Sequence, residues 1–184
     1  MTVEELQQWL EEHIDKIFTF MDYEPTIDSE EEFATTMGYW FGDEGWTEAG
    51  YEFAHLGIDG MGSQFAAWIR PGAEGPPPVV YFGSEGGSGV LVRSPRDWAM
   101  VLAYAPGVDE YPTFTSPARL DPELNWMLED DDPDAAAEAE RALEHYRAAC
   151  VERFGDVPSF EELTSGLDEL NEEFRGWIDD VVGE

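Results

Sequence analysis

The chain has 184 residues, with 42 Asp plus Glu against 9 Lys plus Arg, a formal charge of −33. Such a surface repels nucleic acid and anionic membrane and attracts basic partners. Hydrophobic residues reach 42% and aromatics 14%, enough for a core, while no run of about 20 apolar residues predicts a transmembrane helix.

Thr2 and Glu5 stand at capping-box spacing. Leu6, Leu10, Ile14, Ile17, Phe18 and Met21 recur at helical intervals, so a helix is predicted over 3–21. No basic stretch precedes an apolar one at the N-terminal end, so no secretion signal is expected. Cys150 is the one cysteine and can form no internal disulfide, which fits the cytoplasm; it falls in a helical pattern and reads as a small buried hydrophobe.

Between Pro25 and Gly50, Phe33, Tyr39, Trp40, Phe41 and Trp46 are spread among glycines and acids. Phe33 to Met37, or Tyr39 to Phe41, reads as a short edge strand, and Gly42 to Gly45 as a turn. Two readings stand for these rings. They cover the core of a small sheet, or, beside carboxylates in a loop, they bind a partner, since Trp and Tyr carry much of the energy at interfaces.

The next stretch holds four short apolar runs. Tyr51 to Ile58 and Ser63 to Arg70 flank Asp59-Gly60-Met61-Gly62, a hairpin signal that predicts a type I′ turn. Phe65, Ala67 and Ile69 alternate with Gln64 and Arg70 on the other face, the pattern of a half-buried strand. His55 shares a face with Tyr51 and Phe53, at the core or an edge. Pro71 to Pro78 is a loop, Val79 to Phe82 a third strand, Gly83 to Gly89 a turn, and Val90 to Arg93 a fourth strand. Ser94 caps a helix over 95–105 that has Pro95 in its first position.

Ala105 to Leu120 reads as loop, and Asp121-Pro122 opens a short helix through Leu128. A helix over 133–154 buries Leu143, Tyr146, Cys150 and Phe154. Ser159 and Glu162 cap a last helix over 160–181, with Phe160, Leu163, Leu167, Leu170, Phe174 and Trp177 on one side. The expected fold is therefore α+β. A mainly antiparallel meander at about 51–93 is flanked by helices and followed by a C-terminal helical hairpin. Residues 1–120 form the α+β domain and 121–184 a helical extension packed on it, together one compact unit.

No constellation signals chemistry. The loop Gly83 to Gly89 lacks the lysine of a phosphate-binding loop and leads into a strand, and Ser84 and Ser88 sit in no nucleophile elbow. His13, His55 and His145 show no metal-ligand spacing. Asp130 to Asp134 lacks the glycine and final glutamate of a calcium loop. Glu85, alone among small residues, is the best single acid–base candidate, and an isolated turn glutamate is usually a turn residue. No catalytic residue, metal or cofactor is expected.

The segments His55-Leu56-Gly57-Ile58-Asp59-Gly60, Gly62-Ser63-Gln64-Phe65-Ala66-Ala67-Trp68 and Pro78-Val79-Val80-Tyr81-Phe82-Gly83-Ser84-Glu85-Gly86, with a following helix bearing Trp98 and Leu102, resemble the SMI1/KNR4 (SUKH) family. More narrowly they are similar to a bacterial branch carrying D-G-x-G-S-Q and P-V-V-x-x-G-S-E-G. The likeness covers residues 51–105. It implies an α+β fold with helices packed around a mixed sheet. It also implies an immunity protein that neutralises a toxin, often a nuclease, without catalysis or cofactor.

The function expected is a non-enzymatic, cytoplasmic, immunity-type protein that binds a basic toxin domain as a monomer or dimer, with no nucleic-acid or membrane partner. Trp40, Asp43, Glu44 and Trp46 are the nominated partner-binding residues, two tryptophans flanking two acids in a segment the core does not obviously need. Two alternatives stand beside it. One is a housekeeping or regulatory scaffold whose acidity reflects a halophilic or GC-rich host. The other is a hydrolase working through Glu85 and His55.

Overall fold

The computed structural model describes residues 1–14, 23–25, 29–42, 52–109, 113–114 and 133–182. Four strands, β1 (Glu52–Ile58), β2 (Gln64–Ile69), β3 (Val79–Phe82) and β4 (Ser88–Val92), form one sheet in the order β1-β2-β3-β4. Every neighbouring pair is antiparallel, as a meander requires. The named strands show no parallel pairing, so the sheet is antiparallel where the family likeness implied a mixed one.

Of the three connections in the meander, the β1–β2 and β3–β4 turns use the same device. Gly62 N–H donates to the Asp59 carbonyl at 2.9 Å, and Asp59 N–H to the Ser63 carbonyl at 3.1 Å. Neither Gly60 nor Met61 has positive φ, while Gly62 has +85°. The turn is thus type I closed by a left-handed glycine, and not the expected type I′. Asp59 selects it: its Oδ1 accepts from Met61 N–H at 2.9 Å and Ser63 N–H at 2.8 Å. Gly83 to Gly87 repeats the pattern, with Gly86 at φ +102°.

Helices cover both faces of the sheet. On the first face Leu56, Phe65, Ala67, Tyr81 and Leu91 pack with α1 (Val3–His13), α3 (Pro95–Leu102) and α4 (Pro133–Phe154). On the second face Ala66, Trp68, Val80, Phe82 and Val90 pack with α2 (Glu30–Phe41) and α6 (Asp168–Val182). β2 is therefore buried on both sides, and the expectation of an outward-facing Gln64 fails, since Gln64 is 7% exposed. A nearly continuous apolar run signals two-sided burial, and Phe65-Ala66-Ala67-Trp68-Ile69 is one.

The segment read as an edge strand is helix α2. Ser29 Oγ accepts from Glu32 N–H at 3.3 Å, and Glu32 Oε2 accepts from Ser29 N–H at 3.1 Å, a complete capping box. Phe33, Met37 and Phe41 then recur every fourth residue and are buried. Gly42, at φ +74°, ends the helix. The first helix spans Val3–His13, and the predicted remainder at 15–22 lies outside the described residues, as does the predicted short helix at 121–128.

The predicted C-terminal hairpin is not formed. The helix predicted over 160–181 is two helices, α5 (Phe160–Thr164) and α6, parted at Ser165-Gly166-Leu167. Gly166 has φ +67°, and Arg93 Nη2 donates to the Ser165 carbonyl. Leu163 belongs to the first core and Leu167 to the second, so the chain crosses from one face to the other at this break. Helix α4 then lies on one face through Tyr146 and Cys150, and α6 on the other through Phe174 and Trp177.

Each sheet edge is closed by other parts of the chain. Along β1, Glu24 exchanges two backbone bonds with Ile58, at 2.8 and 2.9 Å, Gln7 Nε2 donates to the His55 carbonyl at 2.8 Å, and Tyr23 Oη donates to the Leu56 carbonyl. Along β4, Asn171 Oδ1 accepts from Val90 N–H at 2.8 Å while its Nδ2 donates to the Val90 carbonyl at 3.3 Å. Unpaired edges template association with other strands, and these contacts blunt both.

Candidate protein-binding surface

The two family-like motifs meet at one end of the sheet. Ser63 lies in the first turn and Ser84 in the second. Ser63 Oγ accepts from Tyr81 Oη at 3.0 Å and from Ser84 N–H at 3.3 Å. The glycines are the turn-formers, and Ser63 and Tyr81 tie one turn to the other. Met61, 69% exposed, and Glu85, also exposed, project from this paired tip. The serine's bridging role is missed in sequence because it depends on strand register, which brings Phe65 opposite Tyr81.

Two of the three histidines and the cysteine are held in packing contacts. The His55 ring is buried, stacked on Phe33 at 4.5 Å between centroids, with Nε2 3.1 Å from the Gly57 carbonyl oxygen. His13 stacks on Trp9 at 3.8 Å, and its Nδ1 is 2.9 Å from the Trp9 carbonyl oxygen. His145 is exposed on α4. Cys150 is fully buried with Sγ 3.7 Å from the Ala99 carbonyl oxygen, and burial pushes its thiol up to about 12. Among the described residues no three His, Cys, Asp or Glu side chains converge as metal ligands.

Of the four nominated partner-binding residues, Trp40 is described. It lies on α2, not in an irregular loop, and is half-buried with its ring 5.8 Å from that of Phe82. It therefore belongs to the margin of the second core, against the expectation that the core does not need it. Asp43, Glu44 and Trp46 lie outside the described residues; they follow directly on the end of α2.

The helices of the second face are strongly acidic on their outer sides. Glu31 and Glu32 are exposed on α2. On α6, Asp168, Glu169, Glu172, Glu173, Asp179 and Asp180 are all exposed, with Arg175 the one cation of that helix. Glu173 is paired to Arg70 at 2.7 Å. The capping boxes spend some acids on the backbone: the hydroxyl of Ser29 holds the Glu32 carboxyl below the usual carboxylate range, and that of Ser159 does so for Glu162. The apolar sides of α2 and α6 are filled by core contacts, so their outer faces are free to present charge.

The fold and surface define an α+β protein whose antiparallel meander is enclosed by helices with acidic outer faces. No family model, curated protein or solved structure matches the chain. The likeness to the SMI1/KNR4 family rests on the two turn motifs and their order. Among the described residues no helix is long and apolar enough to cross a membrane.

Proposed function

We propose that the chain is a non-enzymatic protein-binding module of SMI1/KNR4 (SUKH) type, an immunity protein of the cytoplasm that neutralises a basic toxin domain by covering it. The observation that carries this reading is the acidic outer face of α2 and α6, which lies over a completed core and is available for recognition. Occlusion needs only a shape-matched surface, with opposite charge to steer the encounter and aromatic anchors to hold it. Trp40 at the end of α2, with Asp43, Glu44 and Trp46 following it, supplies both ingredients. The reading as a binder and not a hydrolase is supported by His55, whose ring is engaged with Phe33 and the Gly57 carbonyl.

The test is purification from native cells followed by co-expression with the protein recovered. A basic partner whose toxicity in a host cell disappears when this chain is co-expressed is the expected result. An acidic or neutral partner, or a basic one whose activity is unchanged by stoichiometric binding, contradicts the proposal.

A further inference from the structure

We propose that the cleft between the first turn of α1, the start of α3 and the end of α4 is an oxyanion-binding site that takes one phosphate or carboxylate group between Arg96 and Arg153. The cleft measures about 410 Å³ and is lined by Met1, Glu5, Arg96, Arg153 and Phe154. The Arg96 guanidinium carbon lies 5.7 Å from the centre of the Phe154 ring, and that of Arg153 lies 5.9 Å from the same ring. Arg153 also sits 5.7 Å from the Trp9 ring. Two of the nine Lys and Arg side chains thus converge on one aromatic residue.

Neither guanidinium is ion-paired among the described residues, in a chain holding 42 carboxylates. The lining acid, Glu5, is partly spent within the cleft: its Oε2 accepts from Thr2 N–H at 2.8 Å and lies 3.6 Å from the Met1 ammonium, and the Thr2 bond, with the charges of that ammonium and of Arg153, holds its carboxyl below the usual range. Arg96 spends one bond, from Nη2 to the Phe154 carbonyl at 3.0 Å, at the last turn of α4. A guanidinium carries five N–H donors, so most of its edge stays available. Cation–π attraction at 5.7 and 5.9 Å from the ring centre uses none of the N–H donors, whose fork matches an oxyanion. Two like charges over one ring also repel, and an anion between them reverses that sign.

The ligand is a single group and not a polyanion, because the helices that form the cleft carry further exposed acids. Glu4, Glu11 and Glu12 are exposed on α1, and Glu152 stands beside Arg153 on α4. The oxyanion is a free anion or is borne on a side chain of a partner, and both use the same donors. This inference is independent of the toxin-binding reading.

Magnetic-resonance titration of the whole chain with sodium phosphate, against sodium chloride at matched ionic strength, tests the site. Phosphate should shift the Arg96 and Arg153 side-chain signals saturably, and chloride should not. Arg153→Gln should weaken phosphate binding about tenfold, as loss of a charge-assisted bond implies, with Arg153→Lys losing less. The phosphate-free melting temperature of Arg153→Lys should match the parent, which separates a binding loss from a folding defect. A peptide with one phosphoserine in a neutral sequence assigns the source: tighter binding than phosphate marks a partner-borne group, and equal binding a free anion. Equal shifts from phosphate and chloride, or phosphate affinity unchanged in both Arg153→Gln and Arg96→Gln, overturn the proposal.

Discussion

At Gly57 the backbone has φ +149°, and a Cβ built there would lie 2.3 Å from the Glu24 carbonyl oxygen and 2.7 Å from the Tyr23 ring. The residue also marks the bulge in the β1–β2 ladder. Gly57→Ala must move Glu24 and Tyr23 together, and Tyr23 stacks edge-on against both Phe65 and Trp98. The expected loss is about 3 kcal/mol, the upper range for overpacking, read by urea unfolding. A second prediction concerns titration. Burial raises the Cys150 thiol from its usual 9 to about 12 and raises the Tyr23 and Tyr146 hydroxyls. A group raised on folding stabilises below its unfolded value and loses that contribution as pH climbs through the folded one. Stability should therefore be unaffected by Cys150 below pH 9 and decline between pH 9 and pH 12. Cys150→Ala should flatten that decline in urea unfolding across the window.

At the scale of elements, Asn171 is where α6 meets the open edge of β4. Asn171→Ala removes both bonds to Val90 and leaves that edge bare. A cost of about 2 kcal/mol is expected, with faster hydrogen exchange at Val90 N–H and greater self-association. The strands themselves are legible in sequence, because Val79 to Phe82 and the two glycine turns carry local propensity that tertiary packing does not oppose. Helix α2 is misread because its rings suggest β structure, although Ser29-x-x-Glu32 and the fourfold spacing of Phe33, Met37 and Phe41 already contain the helix. The Ser165-Gly166 break is also present as a glycine, but a single glycine within a helical pattern does not reveal that the chain changes faces. Of the candidate surface, the acidity of α6 is visible in sequence, while the outward direction of its acids depends on Phe174 and Trp177 finding the second core. The Arg96–Arg153 pairing is invisible in sequence, since 57 positions separate residues that only packing brings to Phe154.

The whole molecule is a sheet enclosed by helices drawn from both ends of the sequence. Helix α6 is integral to it, because Trp177 stacks against Phe174 and lies within 5.8 Å of Trp68 and 5.3 Å of both Phe41 and Phe53. A chain ending at Ser165 should expose that face and lose its near-ultraviolet circular dichroism and its solubility. The acidic layer gives the molecule its other global property. Long-range steering by charge is screened beyond about 8 Å at physiological ionic strength, so recognition through −33 has a distinct kinetic signature. The most direct measurement is the association and dissociation rate of the partner recovered from native cells, across a salt series, for the parent, Trp46→Ala and the double variant Asp43→Lys with Glu44→Lys. The account predicts an association rate that falls steeply with salt, that is lower and less salt-sensitive in the lysine variant, and a faster dissociation in Trp46→Ala. Association that ignores both salt and the charge reversal would contradict it.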